Sequence, residues 1–197
     1  MTDTSPSRRR IRPFVAALAV AVLQTAVLGY MIESRASILR NGKDVLLKIA
    51  PVDPRDLLRG DYIILSYEIS RIPADLVVGG FPQEGTDAVL FVRLREQADG
   101  FWAPAEASFN PLTPTADSVV IRSLPFSYYP LPGMPMEALR PDYGIERYYV
   151  PEGEGRALEA ARSNQGFAIN VRIDSAGRGQ IRRVLMNGTP IYEEPLY

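Results

Sequence analysis

The hydrophobic pattern begins with an uninterrupted apolar segment, residues 14–32, in which no side chain is charged. Its nineteen residues would extend about 28 Å as a helix, close to the roughly 30 Å hydrocarbon thickness of a bilayer. The segment has no polar face, unlike an amphipathic helix in the core of a soluble protein. It therefore predicts a transmembrane helix, within an anchor that covers residues 13–35.

Charged residues flank this segment unequally. Four arginines and one aspartate lie within the first twelve residues, whereas Glu33 and Arg35 follow the apolar run. By the positive-inside rule, residues 1–12 are predicted to form a basic cytoplasmic tail and residues 36–197 an exported domain. A cleaved signal peptide begins in the same way, but its apolar core usually covers about 7–15 residues. The longer core favours a retained anchor in the lipid bilayer.

Beyond the anchor, short segments in which apolar and polar residues alternate predict strands. The chain has 17 prolines and 15 glycines, many of them between these segments, as in a loop-rich β protein. We predict a mainly β domain, barrel or sandwich-like, with one short helix at residues 156–162. A helical turn is also expected within residues 53–60. The predicted strands are Asp44–Ala50, Asp61–Ile69, Thr86–Gln97, Ser118–Leu124, Tyr148–Val150, Gly166–Asp174 and Gln180–Met186.

Two of the predicted strands have a clear inward face with a period of two. Trp102 and Phe109 are expected on the hairpin partner of the strand Thr86–Gln97. The stretch 125–143, which is rich in proline and tyrosine, is expected to form a long ordered loop. The predicted inward-facing residues are Ala88, Leu90, Val92 and Leu94 in one strand and Ile63, Leu65, Tyr67 and Ile69 in the other.

Composition excludes several kinds of chemistry. The chain contains no cysteine and no histidine, which excludes thiolate nucleophiles, disulfides, imidazole acid–base catalysis and thiolate or imidazole zinc sites. No cofactor is expected. Subtracting the four N-terminal arginines and Asp3 from the 22 basic and 23 acidic residues leaves a net charge of −4 on the rest. Such a mildly acidic domain has no basic surface for nucleic acid, so nucleic-acid binding is also excluded.

The densest motif lies at the start of the second predicted strand. The letters G-D-Y-x-x-L-x-Y are spelled by Gly60, Asp61, Tyr62, Leu65 and Tyr67. Gly60 permits a backbone conformation with positive φ that turns the chain into the strand, and Leu65 and Tyr67 share one strand face. The motif is therefore either a fold-defining turn and strand or part of a binding or catalytic site, and we favour the first.

A second motif follows the proline-rich segment and continues into the next predicted strand. Its candidate residues are Tyr143, Glu146, Arg147, Tyr148, Tyr149 and Glu152. Together the two motifs resemble the signatures of the GDYXXLXY family of bacterial membrane-anchored proteins, and the resemblance covers essentially the whole chain. It implies a single-pass protein of the bacterial cytoplasmic membrane with no established activity, often encoded beside a multi-span membrane protein. That neighbour is a possible partner.

Five tyrosines near the second motif allow two interpretations. They could line a recognition groove, because rigid amphipathic rings bind at low entropic cost. They could instead pack beneath the proline-rich loop with their hydroxyls at its rim, which is the interpretation we favour. The five are Tyr128, Tyr129, Tyr143, Tyr148 and Tyr149.

Two enzymatic alternatives remain open beside the leading hypothesis, a non-catalytic accessory domain. A degenerate Ser–Lys peptidase would have to use Ser66 with Lys43 or Lys48, the only lysines, but no motif joins them. A carboxylate-based envelope hydrolase has many candidate residues, each with an expected arginine partner or solvent exposure. These carboxylates are Asp53, Asp56, Asp61, Glu68, Glu146, Glu152 and Glu154. The first three offer oxygen ligands for calcium, but without the spacing of a known loop.

Overall fold

The computed structural model describes residues 13–49, 62–130, 137–149 and 167–195. The chain divides into two compact units, Met1–Ala36 and Ser37–Tyr197. The first unit is helical where it is described. The second, here named the β domain, contains all of the described strands.

Helix α1 extends without a break over Pro13–Asn41. The side chains of residues 14–32 are exposed, so the apolar surface of the predicted anchor is uncovered. By length and composition this helix could span a membrane. At its C-terminal end the Gly42 N–H closes the last turn on the Ile38 carbonyl at 2.8 Å.

The described part of the β domain contains fourteen short strands. In chain order they are β1 Lys43–Lys48, β2 Tyr62–Ile64, β3 Ile72–Pro73, β4 Val77–Val78, β5 Asp87–Ala88, β6 Phe91–Glu96, β7 Trp102–Ser108, β8 Ser118–Arg122, β9 Phe126–Ser127, β10 Ala138–Leu139, β11 Arg147–Tyr149, β12 Phe167–Ile173, β13 Gly179–Met186 and β14 Thr189–Glu193. Two one-turn 3-10 helices, Glu68–Ser70 and Ala74–Leu76, lie on either side of β3.

Two four-stranded sheets contribute to one hydrophobic core. Their strand orders are β1-β12-β13-β14 and β4-β7-β6-β8, and every pair in them is antiparallel except β4 with β7. Both sheets bury inward-facing side chains completely, such as Ile169 in the first and Ile121 in the second. The prediction of a mostly β protein with an apolar N-terminal helix is confirmed. The helix predicted at 156–162 and the turn predicted within 53–60 lie outside the described residues.

The strand predicted over Asp61–Ile69 is shorter in the structure. β2 ends at Ile64 because the chain then changes its pairing partner. β2 pairs with β11, whereas Tyr67 forms a single bridge with Ile49, directly after β1. The predicted inward face is nevertheless correct where side chains are described, since the following residues are all buried: Leu65, Tyr67 and Ile69.

The strand predicted over Thr86–Gln97 is interrupted in the middle. β5 pairs with β9, whereas β6 pairs with β7 and β8, so the chain changes partners between them. At this point the Leu90 N–H donates to the Ser123 hydroxyl at 2.9 Å, and the Leu90 carbonyl accepts the Ser123 N–H at 2.8 Å. These two bonds satisfy the buried main-chain N–H and carbonyl groups of Leu90, which lies between β5 and β6 and belongs to neither strand. The predicted inward-facing residues are all buried: Ala88, Leu90, Val92 and Leu94.

The stretch predicted as a long loop, residues 125–143, contains two short strands. β9 pairs with β5 and β10 pairs with β3, each over two residues. Strands of two residues are too short to produce a recognisable alternation, so periodicity does not reveal them. Residues 131–136, between these strands, lie outside the described part of the chain.

The strands predicted over Gly166–Asp174 and Gln180–Met186 correspond to β12 and β13, which form a hairpin. β12 and β13 pair in antiparallel register around a turn in which Gly177 has a φ of +79°. Asn187 and Gly188 also have positive φ, of 50° and 79°, as a two-residue hairpin turn requires. They connect β13 to β14, which completes the first sheet.

Candidate functional site

The two sequence motifs meet in the structure, although they are far apart in the chain. β2 from the first motif pairs antiparallel with β11 from the second, with Tyr62 opposite Tyr149. The pairing continues beyond the strands, since the Leu65 N–H donates to the Glu146 carbonyl at 2.7 Å. Each motif is therefore the main-chain hydrogen-bonding partner of the other.

Two buried tyrosines join the segment after β2 to the segment before β11. The Tyr67 hydroxyl donates to the Ile145 carbonyl at 2.7 Å, and the Tyr143 hydroxyl donates to the Ile69 carbonyl at 3.0 Å. These tyrosines are only 1% and 4% exposed. Each segment thus supplies one phenol to a carbonyl of the other. We name this unit the motif junction, and it consists of Leu65, Tyr67, Tyr143, Ile145 and Glu146.

The Glu146 carboxylate organises the loop that enters β11. It accepts the Tyr143 N–H at 2.8 Å on one oxygen and the Ile145 N–H at 2.9 Å on the other. The loop turns at Gly144, which has a φ of +78° and donates its N–H to the Asp142 carboxylate at 2.7 Å. Glycine is favoured there because other residues rarely adopt positive φ. The carboxylate therefore holds in place the loop to which Tyr67 donates.

Asp142 and Glu146 accept N–H groups from the same turn, Gly144 in one case and Tyr143 and Ile145 in the other, so the ionisation of each carboxyl group affects the other. Burial, followed by the contact with Asp142, raises the pKa of Glu146 to about 7. The hydrogen bond with Glu146 is the largest cause that lowers the pKa of Asp142. Burial, and then the Glu146 charge, raises the pKa of both Tyr67 and Tyr143 well above the usual value. Both phenols therefore remain protonated as donors.

This geometry favours a structural role for the acidic pair over catalysis. The two carboxyl groups of glycosidases stand about 5–5.5 Å apart in retaining enzymes and about 6.5–9.5 Å apart in inverting ones, which leaves space for the reacting groups. Both oxygens of Glu146 instead accept main-chain N–H groups, and Asp142 accepts the Gly144 N–H in the same turn. Both side chains are therefore already bonded to main-chain groups of their own loop.

The lysines of the Ser–Lys alternative are engaged elsewhere. The Lys48 ammonium lies 3.6 Å from the Glu68 carboxylate, and the Lys43 ammonium lies 5.0 Å from the centre of the Trp102 ring. Within the ranges that the structure describes, neither lysine is hydrogen-bonded to Ser66. The same ranges contain no cluster of three or more acidic side chains suited to a metal ion.

The remaining predicted site residues fall into three groups. Those outside the described residues are Gly60, Asp61 and Glu152. All three aspartates considered for calcium also lie there. Those whose backbone forms the β2–β11 pair are Tyr62, Tyr148 and Tyr149. Arg147 begins β11 with an exposed side chain, so it lies beside the motif junction but not within it.

Packing accounts for two of the three tyrosines near the second motif whose side chains are described. Tyr128 and Tyr143 are buried, whereas Tyr129 is 68% exposed. Tyr128 belongs to an aromatic cluster with Phe81 and Phe109, in which the ring centroids are 5.9–6.0 Å apart. Sequence reasoning missed this cluster because its members come from three separate segments.

Asp142, the partner of Glu146, was also not among the predicted site residues. Its local signal is an aspartate two positions before a glycine, which is typical of a turn in which the carboxylate accepts a main-chain N–H. That signal predicts the bond to Gly144. It does not predict that Glu146 bonds to the same turn, nor the burial that raises the pKa of Glu146.

The family comparison covers both motifs. The family model described as GDYXXLXY protein matches residues 24–184, which include the whole motif junction and most of the β domain. Comparison with curated proteins and comparison with solved structures each find no match. Because the family model covers well over half of the chain, the protein belongs to the GDYXXLXY protein family.

Proposed function

We propose that this protein is a single-pass, membrane-anchored accessory domain that binds a multi-span membrane protein and catalyses no reaction. In this proposal α1 lies in the bacterial cytoplasmic membrane, residues 1–12 are cytoplasmic, and the β domain is on the outer side. The supporting observation is the motif junction, in which Tyr67, Tyr143 and Glu146 all bond to the protein's own main chain. Polar groups satisfied in this way stabilise a scaffold and are not available to a substrate.

The absence of cysteine allows a direct test of the proposed topology. In intact spheroplasts, Asp99→Cys, at an exposed turn of the β domain, is expected to react with a membrane-impermeant maleimide. Ser7→Cys, in the basic tail, is expected to react only after detergent lysis. The physical reason is the arginine cluster before the apolar helix, which retains the tail on the cytoplasmic side.

The unsubstituted chain has no thiol and is the background control for both conditions. Labelling of Ser7→Cys but not Asp99→Cys in intact spheroplasts would show the opposite orientation. Recovery of a shortened β domain in the soluble fraction would show that the apolar segment is a cleaved signal peptide. Either result would contradict the proposed anchoring.

A second experiment locates the partner. Interfaces are enriched in aromatic residues, and Phe81 and Tyr129 are 44% and 68% exposed in the β domain. A photo-crosslinking amino acid at either position, in the native bacterium, is expected to capture one multi-span membrane protein. Ile191, which is 39% exposed on β14, provides the matched control position and is expected to capture none. Capture of the same proteins from all three positions, or of none from the aromatic positions, would count against a specific partner.

A further inference from the structure

We infer that the motif junction is a pH-sensitive conformational device, closed when Glu146 is protonated and loosened when it and Asp142 are both ionised. This goes beyond the accessory function, because it names a condition that regulates the domain. Its structural basis is one turn that carries two carboxyl groups, since Asp142 accepts the Gly144 N–H while Glu146 accepts the N–H groups of Tyr143 and Ile145. The same turn supports both buried tyrosine bonds. The physiological consequence rests on the proposed exported location, whereas the conformational change does not.

The contacts of Glu146 transmit its ionisation to the first motif. Two negative carboxylates in one turn repel each other strongly in a partly buried site. Glu146 cannot move away without releasing the N–H groups of Tyr143 and Ile145. These are the residues that join the segments, since Tyr143 donates to Ile69 and Ile145 accepts from Tyr67. Displacement of the carboxylate therefore weakens both bonds between the motifs.

Within the described part of the chain, the charged and titratable surroundings offer Glu146 no compensating cation. Among the described residues, the groups that act on Glu146 and its partner are the Asp142 carboxyl, the phenols of Tyr67 and Tyr143, and Arg147. The phenols are neutral. Arg147 is exposed and acts on Asp142, and no described cation forms an ion pair with Glu146. The proton on Glu146 is thus the group that relieves the repulsion.

The direction of the effect follows from the pKa of Glu146, which burial and then the neighbouring Asp142 raise from 4.5 to about 7. The stabilisation from the bound proton is fully present below about 4.5 and is lost as the pH rises through about 7. The lowered pKa of Asp142 acts at the acidic end, where its contribution is lost as the pH falls. The junction is therefore expected to loosen between about pH 5.5 and 8.5.

Amide hydrogen exchange of the full-length protein in detergent micelles tests the inference at pH 5.5 and 8.5. After correction for intrinsic exchange rates, the amides of Leu65, Tyr143 and Ile145 are expected to lose about tenfold in protection at the higher pH. The tenfold figure already allows for solvent screening of the partly exposed Glu146 side chain. Strand β6 should keep its protection and reports that the fold is intact. Unchanged protection at the three junction amides would overturn the inference.

Conservative variants separate ionisation of this pair from general alkaline loosening. Glu146→Gln has no ionisable group and is expected to lose the pH dependence. Asp142→Asn can still accept the Gly144 N–H but carries no charge to repel Glu146, so it is expected to reduce the change well below tenfold. Asp99→Asn is the matched control, because Asp99 also accepts a turn N–H, from Phe101 at 3.1 Å. This control should retain the tenfold change. If strand β6 loses protection in one of the two junction variants, that variant is no longer folded and the other variant decides the test. A retained tenfold change in a variant whose strand β6 stays protected would overturn the inference. A failed topology or crosslinking test leaves this result unaffected.

Discussion

Tyr67→Ala is expected to lower the free energy of unfolding by roughly 3–5 kcal/mol. The substitution removes a fully buried aromatic ring and leaves the Ile145 carbonyl without its hydroxyl donor. Since domains are usually stable by only about 5–15 kcal/mol, this loss is a large part of the total. Urea unfolding of the full-length protein in detergent, followed by the fluorescence of Trp102, measures it. Trp102 is the one tryptophan of the chain and is 7% exposed.

Two further variants divide this effect into its parts. Tyr67→Phe keeps the ring and removes the bond to Ile145, so a loss of about 1–2 kcal/mol is expected. Tyr129→Ala is the surface control, and it should remain within about 0.5 kcal/mol of the wild type because Tyr129 is largely exposed. If Tyr67→Ala were no more destabilising than this control, the motif junction would not be a determinant of stability.

Gly177→Ala is expected to cost roughly 2–4 kcal/mol of unfolding free energy, for two additive reasons. Its φ of +79° lies in the left-handed region that side chains rarely adopt. In addition, a Cβ would lie 3.1 Å from both the Arg122 nitrogen and the Val120 oxygen. These are main-chain atoms of β8, and the Arg122 N–H donates to the Gly177 carbonyl at 2.9 Å. The same urea unfolding experiment measures the loss.

Gly100→Ala isolates the contribution of crowding. Gly100 has nearly the same φ, +82°, but no atom lies within 4 Å of its Cβ position. Backbone strain alone predicts a loss of about 1 kcal/mol for this variant. The excess at Gly177 then measures how tightly the β12–β13 turn packs against β8. Equal losses for the two variants would show that the contact is soft and that only φ matters.

These expectations connect the family motif to stability. Leu65 and Tyr67 are buried, and the described part of the second motif supplies their main-chain partners. A substitution in either motif should therefore loosen the other. Loss of function in a motif variant consequently needs a stability measurement beside it before a direct role in binding is assigned.

Local patterns in the sequence were sufficient for the long helix and for the buried faces of the longer strands. A long apolar run specifies a helix of membrane-spanning length, and a period of two specifies which side of a strand is buried, as for Leu65 and Val92. The positive φ of Asn187 and Gly188 is likewise a local property, because an Asn-Gly pair readily adopts the conformation of a two-residue hairpin turn. Such features depend on a few adjacent positions, so the sequence by itself determined them.

Only the tertiary structure decided which residues meet. Tyr67 and Ile145 are separated by 78 positions, and nothing local to either one specifies the other as its hydrogen-bond partner. The same holds for the ends of β2 and β5, where the chain changes pairing partners. The raised pKa of Glu146 depends first on burial, which distant segments create. Desolvation and hydrogen-bond pairing are properties of the assembled neighbourhood, and for this reason the candidate site emerged only from the fold.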